Sequence, residues 1–486
     1  LNNELYNEDL KAIVDAASES GTIDRNNKLY MPFIYFDNNL KDKNAIYLNK
    51  FLDKLLSVNI VEIISGEDEE IYNIFEVLNA RGQKLKQIEL LKNHIMKYIQ
   101  PRETEFIDKA KIKWRNIQNN IRHLNDPDAL IQHFAKCYIE KNAENQNSIY
   151  RLIKEEIKID DLGVFLEKLE EFSGIYNEIT KRDSEYDAIR YFNIKRNQQI
   201  RSLLCAIFVL NKNSIIEDTT RDRAIRQLLN FFFIFNTTQQ TSNRTDKVIS
   251  SISYQVYNCI SENEFKIIFT EFLYEIGTYI NTHDYKALFE SNQSFKYSNR
   301  DRSLKSNGNL VKFILEQIYK CKQLDTVMDT SNLTIEHLKS DDGTLNNASI
   351  WNLTLTTAEI NSDELKDKDI IDKINILKEK STIKENQCLD KYLNGYNFDF
   401  DKRKKDLLNT MFENIFRFEP EQFGITKNDI NTYRRNQHLL EIGKDFELLD
   451  LLKKLGTNFE VKLRNDPSLS ELSNRWNNSN EKNSYV

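Results

Sequence analysis

Residues 333–337 read Leu-Thr-Ile-Glu-His, and residues 350–356 read Ile-Trp-Asn-Leu-Thr-Leu-Thr. Both stretches have the composition of strands, and the second alternates apolar with polar side chains. A polar loop, 339–347, separates them. The stretch Asn361-Ser362-Asp363-Glu364 then predicts a helix start with acidic residues in its first turn, and apolar positions continue that helix to Leu377. Strand, loop, strand and helix predict a small α+β unit over residues 331–416.

Most of the remaining chain predicts helices. The 486 residues include only 12 Gly and 5 Pro, too few for the turns of an all-β sandwich or barrel. Residues 101–330 carry apolar side chains at helical spacing almost throughout, and Leu228–Phe235 is apolar nearly all round, which predicts a fully buried helix. The fold class is therefore mainly α with small α+β parts: a central helical bundle over 101–330 and a helical extension over 417–486.

The first hundred residues predict a mixture of strands and helices. Leu29–Phe36 predicts a strand, and the β-branched stretch Val58–Ile64 predicts another. Apolar residues at helical spacing predict one helix over 71–78 and a second over Leu85–Tyr98. Between these helices lies Asn79–Gly82, where glycine suits the end of a helix.

Composition and charge restrict the functional classes. The chain has 68 Lys and Arg against 75 Asp and Glu, a net charge of −7, so DNA contact would need local cationic patches. No apolar run approaches the roughly 20 residues of a membrane span, and no secretory signal is present. The 5 cysteines are scattered without a Cys-x-x-Cys pair. We expect them to be reduced and buried in a cytoplasmic protein without a membrane partner.

The Glu336–His337 pair at the end of the first strand is the candidate catalytic site. His337 can take a proton from water, and Glu336 and Asn361 can offer oxygen atoms to Mg²⁺ or Mn²⁺. Asn352, on the polar face of the second strand, can hydrogen-bond to His337 and orient its ring. Such a cation keeps positions open for phosphate oxygens, so the layout indicates a ββα-metal nuclease site. A Glu-His pair also occurs by chance, so the alternative is a helical scaffold in which these residues have no joint function.

The same residues resemble a known family. Residues 333–361 are similar to the C-terminal HNH domain of the GmrSD-type restriction endonucleases, in which an acid-His pair precedes Gly-Asn-Leu-x-Leu and a further Asn. Lys373 and Ser381 fit the continuation of that pattern. Residues 74–85, Ile-Phe-Glu-Val-Leu-Asn-Ala-Arg-Gly-Gln-Lys-Leu, resemble the end of the family's ParB-like N-terminal domain. The resemblance covers most of residues 20–416. It implies that residues 1–100 are the back half of a ParB-like domain and that 331–416 form an HNH-like nuclease domain.

The sequence departs from the family pattern at three places. Leu338-Lys339-Ser340 stands where the family has Ile-x-Pro, and Trp351 stands where it has Gly. The family's Asp-Gly-Gln-Gln-Arg motif, which is associated with nucleotide hydrolysis, is not in the sequence, and the chain does not begin with Met. We therefore expect a fragment, with any NTP chemistry belonging to the full-length protein. Asn79 and Arg81 are the remaining candidates for nucleotide contact, and helix capping is the alternative for both.

The resemblance implies a metal-dependent DNA endonuclease of a restriction, anti-phage defence system. Its partner would be double-stranded DNA, foreign or modified, with a second copy or a partner subunit as a further expectation. Lys and Arg side chains that could contact phosphates occur in three places, and each set also fits a solvated helix face. They are Arg300, Arg302 and Lys305; Lys402, Arg403, Lys404 and Lys405; and Arg434 and Arg435. Lys373 is a further candidate for DNA contact. The missing Pro and Gly leave open a catalytically inactive DNA- or partner-binding subunit.

Overall fold

The computed structural model describes residues 7–18, 23–58, 86–99, 109–139, 148–181, 184–238, 243–280, 284–323, 332–442, 452, 455 and 459–477. The chain divides into two compact units, Leu1–Ile71 and Tyr72–Val486. Almost all of the predicted strand at 58–64, the predicted helix at 71–78, and Asn79 and Arg81 lie outside the described residues.

The first unit contains three described helices: α1 (Asn7–Ser18), α2 (Tyr30–Leu40) and α3 (Ala45–Leu56). The predicted strand over Leu29–Phe36 is wrong, because these residues begin α2. Pro32 is the third residue of that helix, where its missing N–H would have had no helical partner. The side chain of Asn27 accepts a hydrogen bond from the backbone N–H of Leu29 and fixes the entry to the helix. This local geometry outweighs the strand preference of the aromatic side chains.

In the second unit the helical prediction is confirmed over the described part of 86–323. The predicted helix at Leu85–Tyr98 is α4, Gln87–Tyr98. The helices that follow are α5 (Lys109–Ile121), α6 (Asp128–Tyr138), α7 (Ile149–Glu156), α8 (Leu162–Thr180), α9 (Asp187–Ile194), α10 (Arg201–Lys212), α11 (Asp218–Thr237), α12 (Asn243–Tyr257), α13 (Glu262–Gly277), α14 (Tyr285–Ser291), α15 (Arg302–Lys305) and α16 (Gly308–Lys322).

Helix α11 lies at the centre of the hydrophobic core. Every residue of Leu228–Phe235 is buried, as the sequence predicted. The ring of Phe233 stacks on that of Phe416, with centroids 3.7 Å apart. The same core contains Leu353 and Leu355 from the predicted second strand. The strands are thus packed against the helical bundle, and burial of their apolar face ties the two together.

The predicted strands form an antiparallel hairpin. Strand β1 is Leu333–His337 and β2 is Leu353–Thr357, and their register pairs Glu336 with Thr354 and His337 with Leu353. A short 3₁₀ turn, Ile350–Asn352, precedes β2, so the second strand begins three residues later than predicted.

The helix predicted to run from Asn361 to Leu377 is wrong as one element. A single π-helical turn, Ile360–Glu364, is followed by a break and then by α17, Ile370–Lys380. At the break Asp367 has a φ of 60°, a left-handed conformation that ends a helix. The side chain of Asp369 then accepts hydrogen bonds from the N–H groups of Ile371 and Asp372 and begins α17.

The described residues after α17 are largely helical, with one small two-stranded sheet. The elements are α18 (Lys384–Gln387), β3 (Leu393–Asn394), β4 (Asn397–Phe398), α19 (Phe400–Asn409), α20 (Lys427–Ile442), α21 (Phe459–Asn465) and α22 (Ser470–Asn477). Two smaller cores accompany them. One lies between the hairpin loop, α17 and β4, and the other joins residues 452–476.

All five cysteines lie within the described residues and are free thiols. Cys137, Cys205 and Cys259 are buried as expected. The expectation is wrong for Cys321, which is half-buried, and for Cys388, which is exposed. Among the helices that the structure describes, none has both the length and the apolar character that a bilayer span requires.

Candidate functional site

Glu336 is paired with a buried lysine. Lys373 Nζ lies 2.5 Å from Glu336 Oε1 and also donates to the backbone carbonyl of His337 at 2.7 Å. Its helix, α17, packs Ile374 and Leu377 into the smaller core beside the hairpin, which fixes the lysine against β1. The prediction that Lys373 contacts DNA is wrong, because only 4% of the residue is exposed and its charge is balanced by Glu336.

The ring of His337 is held by a backbone carbonyl. His337 Nε2 lies 3.1 Å from the carbonyl oxygen of Tyr297, and the ring also packs against the ring of Tyr297. A carbonyl only accepts hydrogen bonds, so Nε2 carries the proton and Nδ1 holds the lone pair of the neutral ring. Burial lowers the pKa of His337 below its usual value, although Asp341, the Tyr297 carbonyl and Glu336 act in the opposite direction. The ring is therefore neutral at pH 7, as a general base must be.

Asp341 is the acid nearest to the ring of His337 within the described residues. Its Oδ2 lies 3.9 Å from His337 Nε2. Ser298 Oγ donates to this carboxylate at 2.8 Å, and so do the backbone N–H groups of Asn299 and Gly343. Burial opposes ionisation of Asp341, but these hydrogen bonds outweigh it and hold the pKa of the carboxyl below its usual value. A negative charge is thus fixed beside the histidine.

Asn352 fastens the loop between the strands. Its buried amide accepts from the N–H of Lys339 at 2.8 Å and donates to the carbonyl oxygens of Lys339 and Asn347 at 2.9 and 2.7 Å. Both N–H donors of the amide are used on backbone carbonyls. The predicted hydrogen bond from Asn352 to His337 is therefore wrong, since the side chain reaches the residues after the histidine and not its ring. Asn352 positions the loop, Tyr297 holds the ring, and Asp341 places a negative charge beside it.

Asn361 packs against the first strand. Its Nδ2 donates to Thr334 Oγ1 at 3.0 Å and to the carbonyl oxygen of Ile335 at 3.3 Å. These two bonds use both amide hydrogens and leave Oδ1 free to serve as an acceptor or ligand. Thr334 and Glu336 share one face of β1 because side chains alternate along a strand, and His337 takes the opposite face. The structure brings Glu336 and Asn361 to one face and holds His337 on the other.

The oxygen atoms of Glu336 and Asn361 could hold a divalent cation of the Mg²⁺ type. Such a cation is often bound by one or two protein oxygens and keeps several waters. The pairing of Glu336 with Lys373 means that a cation would share this carboxylate with the lysine ammonium. Within the described ranges, no group of three or more His, Cys, Asp or Glu side chains could hold a metal ion. A cation at this site would therefore depend on water and substrate for its remaining ligands.

The predicted phosphate-contacting residues divide into exposed and buried ones. Arg300, Arg302 and Lys305 are exposed, and Arg300 lies beside the loop, since a Cβ atom added to Gly343 would meet its Cβ at 3.8 Å. Their segment, 297–305, also supplies the carbonyl that binds His337. These three cations remain candidates for DNA contact next to the histidine.

The second cluster is less available for DNA. Arg403 is fully buried and donates to the carbonyl oxygens of Trp351 and Leu353, so its prediction as a DNA contact is wrong. Lys404 is half-buried and paired with Glu290 at 3.0 Å. Lys402 is exposed, although its Nζ donates to the carbonyl of Lys391 at 2.6 Å.

No protein-family model matches this sequence, and neither the curated proteins nor the solved structures give a match. The resemblance to the GmrSD-type endonucleases therefore stays a prediction carried by the residues quoted for it.

Proposed function

We propose that the chain is a metal-dependent DNA endonuclease that acts through the Glu336–His337 site and serves in restriction of foreign DNA. The observation that carries the proposal is the hydrogen bond between His337 Nε2 and the Tyr297 carbonyl. It leaves Nδ1 as the proton-accepting atom of a neutral ring, and the charge of Asp341 favours the imidazolium that forms when a proton is taken.

The chain's own residues would divide the work of phosphodiester hydrolysis. His337 takes the proton from the attacking water, Tyr297 holds its ring, and the charge of Asp341 stabilises the imidazolium that forms. Arg300 and its exposed neighbours Arg302 and Lys305 bind the phosphates that flank the cleaved bond. Glu336 and Asn361, on the opposite face of β1 from the His337 ring, would hold a cation, which when bound supplies charge stabilisation to the phosphate oxygens.

The substrate and compartment follow from the same proposal. Double-stranded DNA is the proposed partner, because the exposed cations lie along one segment beside the site. The free state of all five cysteines is consistent with a reducing, cytoplasmic setting, where foreign DNA would be met.

A plasmid-nicking assay tests the proposal. Purified protein is incubated with supercoiled DNA, unmodified or carrying base modifications, in Mg²⁺ or Mn²⁺, with and without NTP. We expect His337→Ala to abolish nicking while DNA retention in a gel shift persists, and thermal melting checks that the variant is folded. Glu359→Gln, at an exposed position two residues before Asn361, is a control for the loss of one acidic charge and should nick normally. Nicking by His337→Ala at the wild-type rate would overturn the proposal.

The second candidate function is a catalytically inactive DNA- or partner-binding subunit. The observation in its favour is the pairing of Glu336 with Lys373, because an ammonium already balances the only acid among the candidate cation ligands. This alternative expects a gel shift by the wild-type protein with no nicking in either metal. The same assay therefore separates the two candidates.

A further inference from the structure

A cationic cavity lies in the helical bundle, outside the hairpin site. It has a volume of about 810 Å³ and is lined by the end of α5, the loop after it, the end of α8 and the start of α10. Two arginines and a lysine, Arg122, Lys181 and Arg201, contribute to its wall, against one acid, Asp126. Its size is in the range of small-molecule sites.

The three cations lack acidic partners in the described part of the chain. Arg122 and Lys181 form no side-chain ion pair with any described acid. Asp126 uses an oxygen of its carboxylate to accept from the backbone N–H of Asp128. The cavity therefore presents uncompensated positive charge, which favours an anionic occupant.

Arg201 lies at the wall of the cavity, and its side chain is fixed by contacts with Tyr176. It is half-buried, and its guanidinium lies over the ring of Tyr176 and donates to that hydroxyl at 3.3 Å. Its Nε is buried and has no hydrogen-bond partner. Arg201 is also the first residue of α10, and the N-cap residue Ile200 supplies no side-chain cap. A guanidinium with one buried, unpartnered N–H and the first residue of a 12-residue helix thus both contribute to the wall of the cavity.

A histidine of the cavity wall lies within the influence of two of these cations. His123 also lines the cavity, and its Nε2 lies 2.8 Å from Thr180 Oγ1. Burial lowers the pKa of His123, and the charges of Lys181 and Arg201 lower it further. Two cations from different helices therefore act on the same ring. The amides of Asn119, Asn125, Asn177 and Gln198 complete the wall and can hydrogen-bond to a polar group attached to an anion.

We propose that this cavity binds a small molecule that carries phosphate groups. Three cations can balance the charge of a di- or triphosphate, and the four amides suit the sugar or base of a nucleotide. Because all three cations line a single cavity, a compact anion suits them better than an extended nucleic-acid backbone. The proposal does not depend on nuclease activity, since its residues belong to another part of the unit.

Isothermal titration calorimetry on the full chain tests the proposal, with ATP, inorganic triphosphate and adenosine as separate titrants. We expect the two phosphate compounds to bind and adenosine not to bind. The double variant Arg122→Gln/Lys181→Gln should weaken binding by about tenfold or more, because it removes two charge-assisted contacts. Both side chains are exposed, so the fold should persist. Arg115→Gln/Lys212→Gln, exposed positions on α5 and at the far end of α10, is the matched control and should bind as the wild type does.

Comparison of ATP with inorganic triphosphate shows which part of the ligand the cavity recognises. Binding of ATP at least about tenfold tighter than triphosphate shows that the amides recognise a nucleotide, whereas equal affinities show that the phosphates alone are recognised. Both results support the site. No heat from either compound at millimolar concentration overturns the proposal, and so does binding that the double variant leaves unchanged. If only duplex DNA depends on these two cations, the cavity is a DNA contact and the proposal fails.

Discussion

Lys373 Nζ and Glu336 Oε1 lie 2.5 Å apart, and the two side chains are only 5% and 15% exposed. Removing one member of such a pair leaves a buried charge without its partner. We expect Lys373→Met to lower the free energy of unfolding by about 3 kcal/mol, measured by urea denaturation. Lys378→Met, on the same helix in an exposed pair with Asp390, should change stability little.

A double variant separates the pair from the packing around it. Glu336→Gln/Lys373→Met removes both charges, so it should recover most of the stability that Lys373→Met loses. If the double variant is as unstable as the sum of the single ones, the two side chains are not coupled, and the lysine matters only for its packing.

Asn352 makes three hydrogen bonds to the backbone of the loop, so its replacement should make that loop more mobile. We expect Asn352→Leu to destabilise the protein by about 2–4 kcal/mol, because buried backbone groups lose their partners. Hydrogen exchange of the amides in 339–347 should accelerate. Asn346→Ala, at an exposed position of the same loop, is the control. Unchanged exchange in Asn352→Leu would contradict the role given to this side chain.

Gly343 has a φ of 80°, and its N–H donates to Asp341. A side chain there would meet Arg300 only at 3.8 Å, so the cost of substitution comes from the backbone. We expect Gly343→Ala to destabilise the protein by about 1–2 kcal/mol in denaturant unfolding. Gly163→Ala is the matched comparison. It lies in α8 with nothing within 4 Å of the added atom, and it should stabilise by up to about 1 kcal/mol. Equal effects of the two changes would argue against strain at Gly343.

His133 is buried, and burial, reinforced by the charges of Lys136 and Arg201, lowers its pKa to about 3. Unfolded His133 accepts a proton near pH 6.5, whereas the folded residue does not until about pH 3. The unfolded state therefore binds more protons in this window, and stability falls as the pH falls from 6.5 towards 3. The slope due to this residue approaches about 1.4 kcal/mol per pH unit.

Comparison with His133→Gln isolates that contribution. Denaturation curves at several pH values should show a weaker loss of stability on acidification in the variant than in the wild type. The absolute stability of the variant is also lower, since the hydrogen bond between His133 Nδ1 and the Tyr176 hydroxyl changes. The quantity compared is the slope of the unfolding free energy against pH, not the denaturation midpoint at one pH. Equal slopes in the variant and the wild type would show that His133 does not titrate as described.

Arg300 and Arg302 are exposed beside the hairpin loop, and we expect them to contact DNA phosphates. Arg300→Gln/Arg302→Gln should weaken duplex binding and reduce the slope of log affinity against log salt by about 0.9 for each lost contact. Fluorescence anisotropy at several salt concentrations measures both quantities. Arg223→Gln, an exposed position on α11, should leave the slope unchanged. A slope that is the same in all three proteins would place the DNA surface elsewhere.

The hairpin could be predicted from sequence because alternation along residues 350–356 specifies which face is buried, and the structure places Leu353 and Leu355 in the main core. The strand predicted at Leu29–Phe36 failed for the converse reason. Aromatic side chains favour strands, whereas Pro32 suits the first turn of a helix better than the interior of a strand. The helix break before α17 depended on Asp367 and Asp369, whose backbone roles appear only in three dimensions.

The candidate site was predicted in its residue types but not in its contacts. Asp341 lies four residues after His337 and could have been noticed as a neighbour in the same loop. Tyr297 had no such signal, because it acts through its backbone carbonyl and precedes the histidine by 40 residues. Buried charges were also unpredictable. Lys373 and Arg403 are residue types that usually lie on the surface. Only the fold shows that Lys373 balances an acid and that Arg403 bonds to backbone carbonyls.

The contact between His337 and Tyr297 means that the hairpin is not a self-contained module. The hairpin draws its ring support and the anchors of Asp341 from residues 297–299, which precede the first strand by more than thirty positions in the sequence. A polypeptide cut at residue 331 would carry the Glu-His pair and lose the groups that orient it. Transfer of this hairpin to another protein, by engineering or by recombination, would have to include the segment that begins before Tyr297.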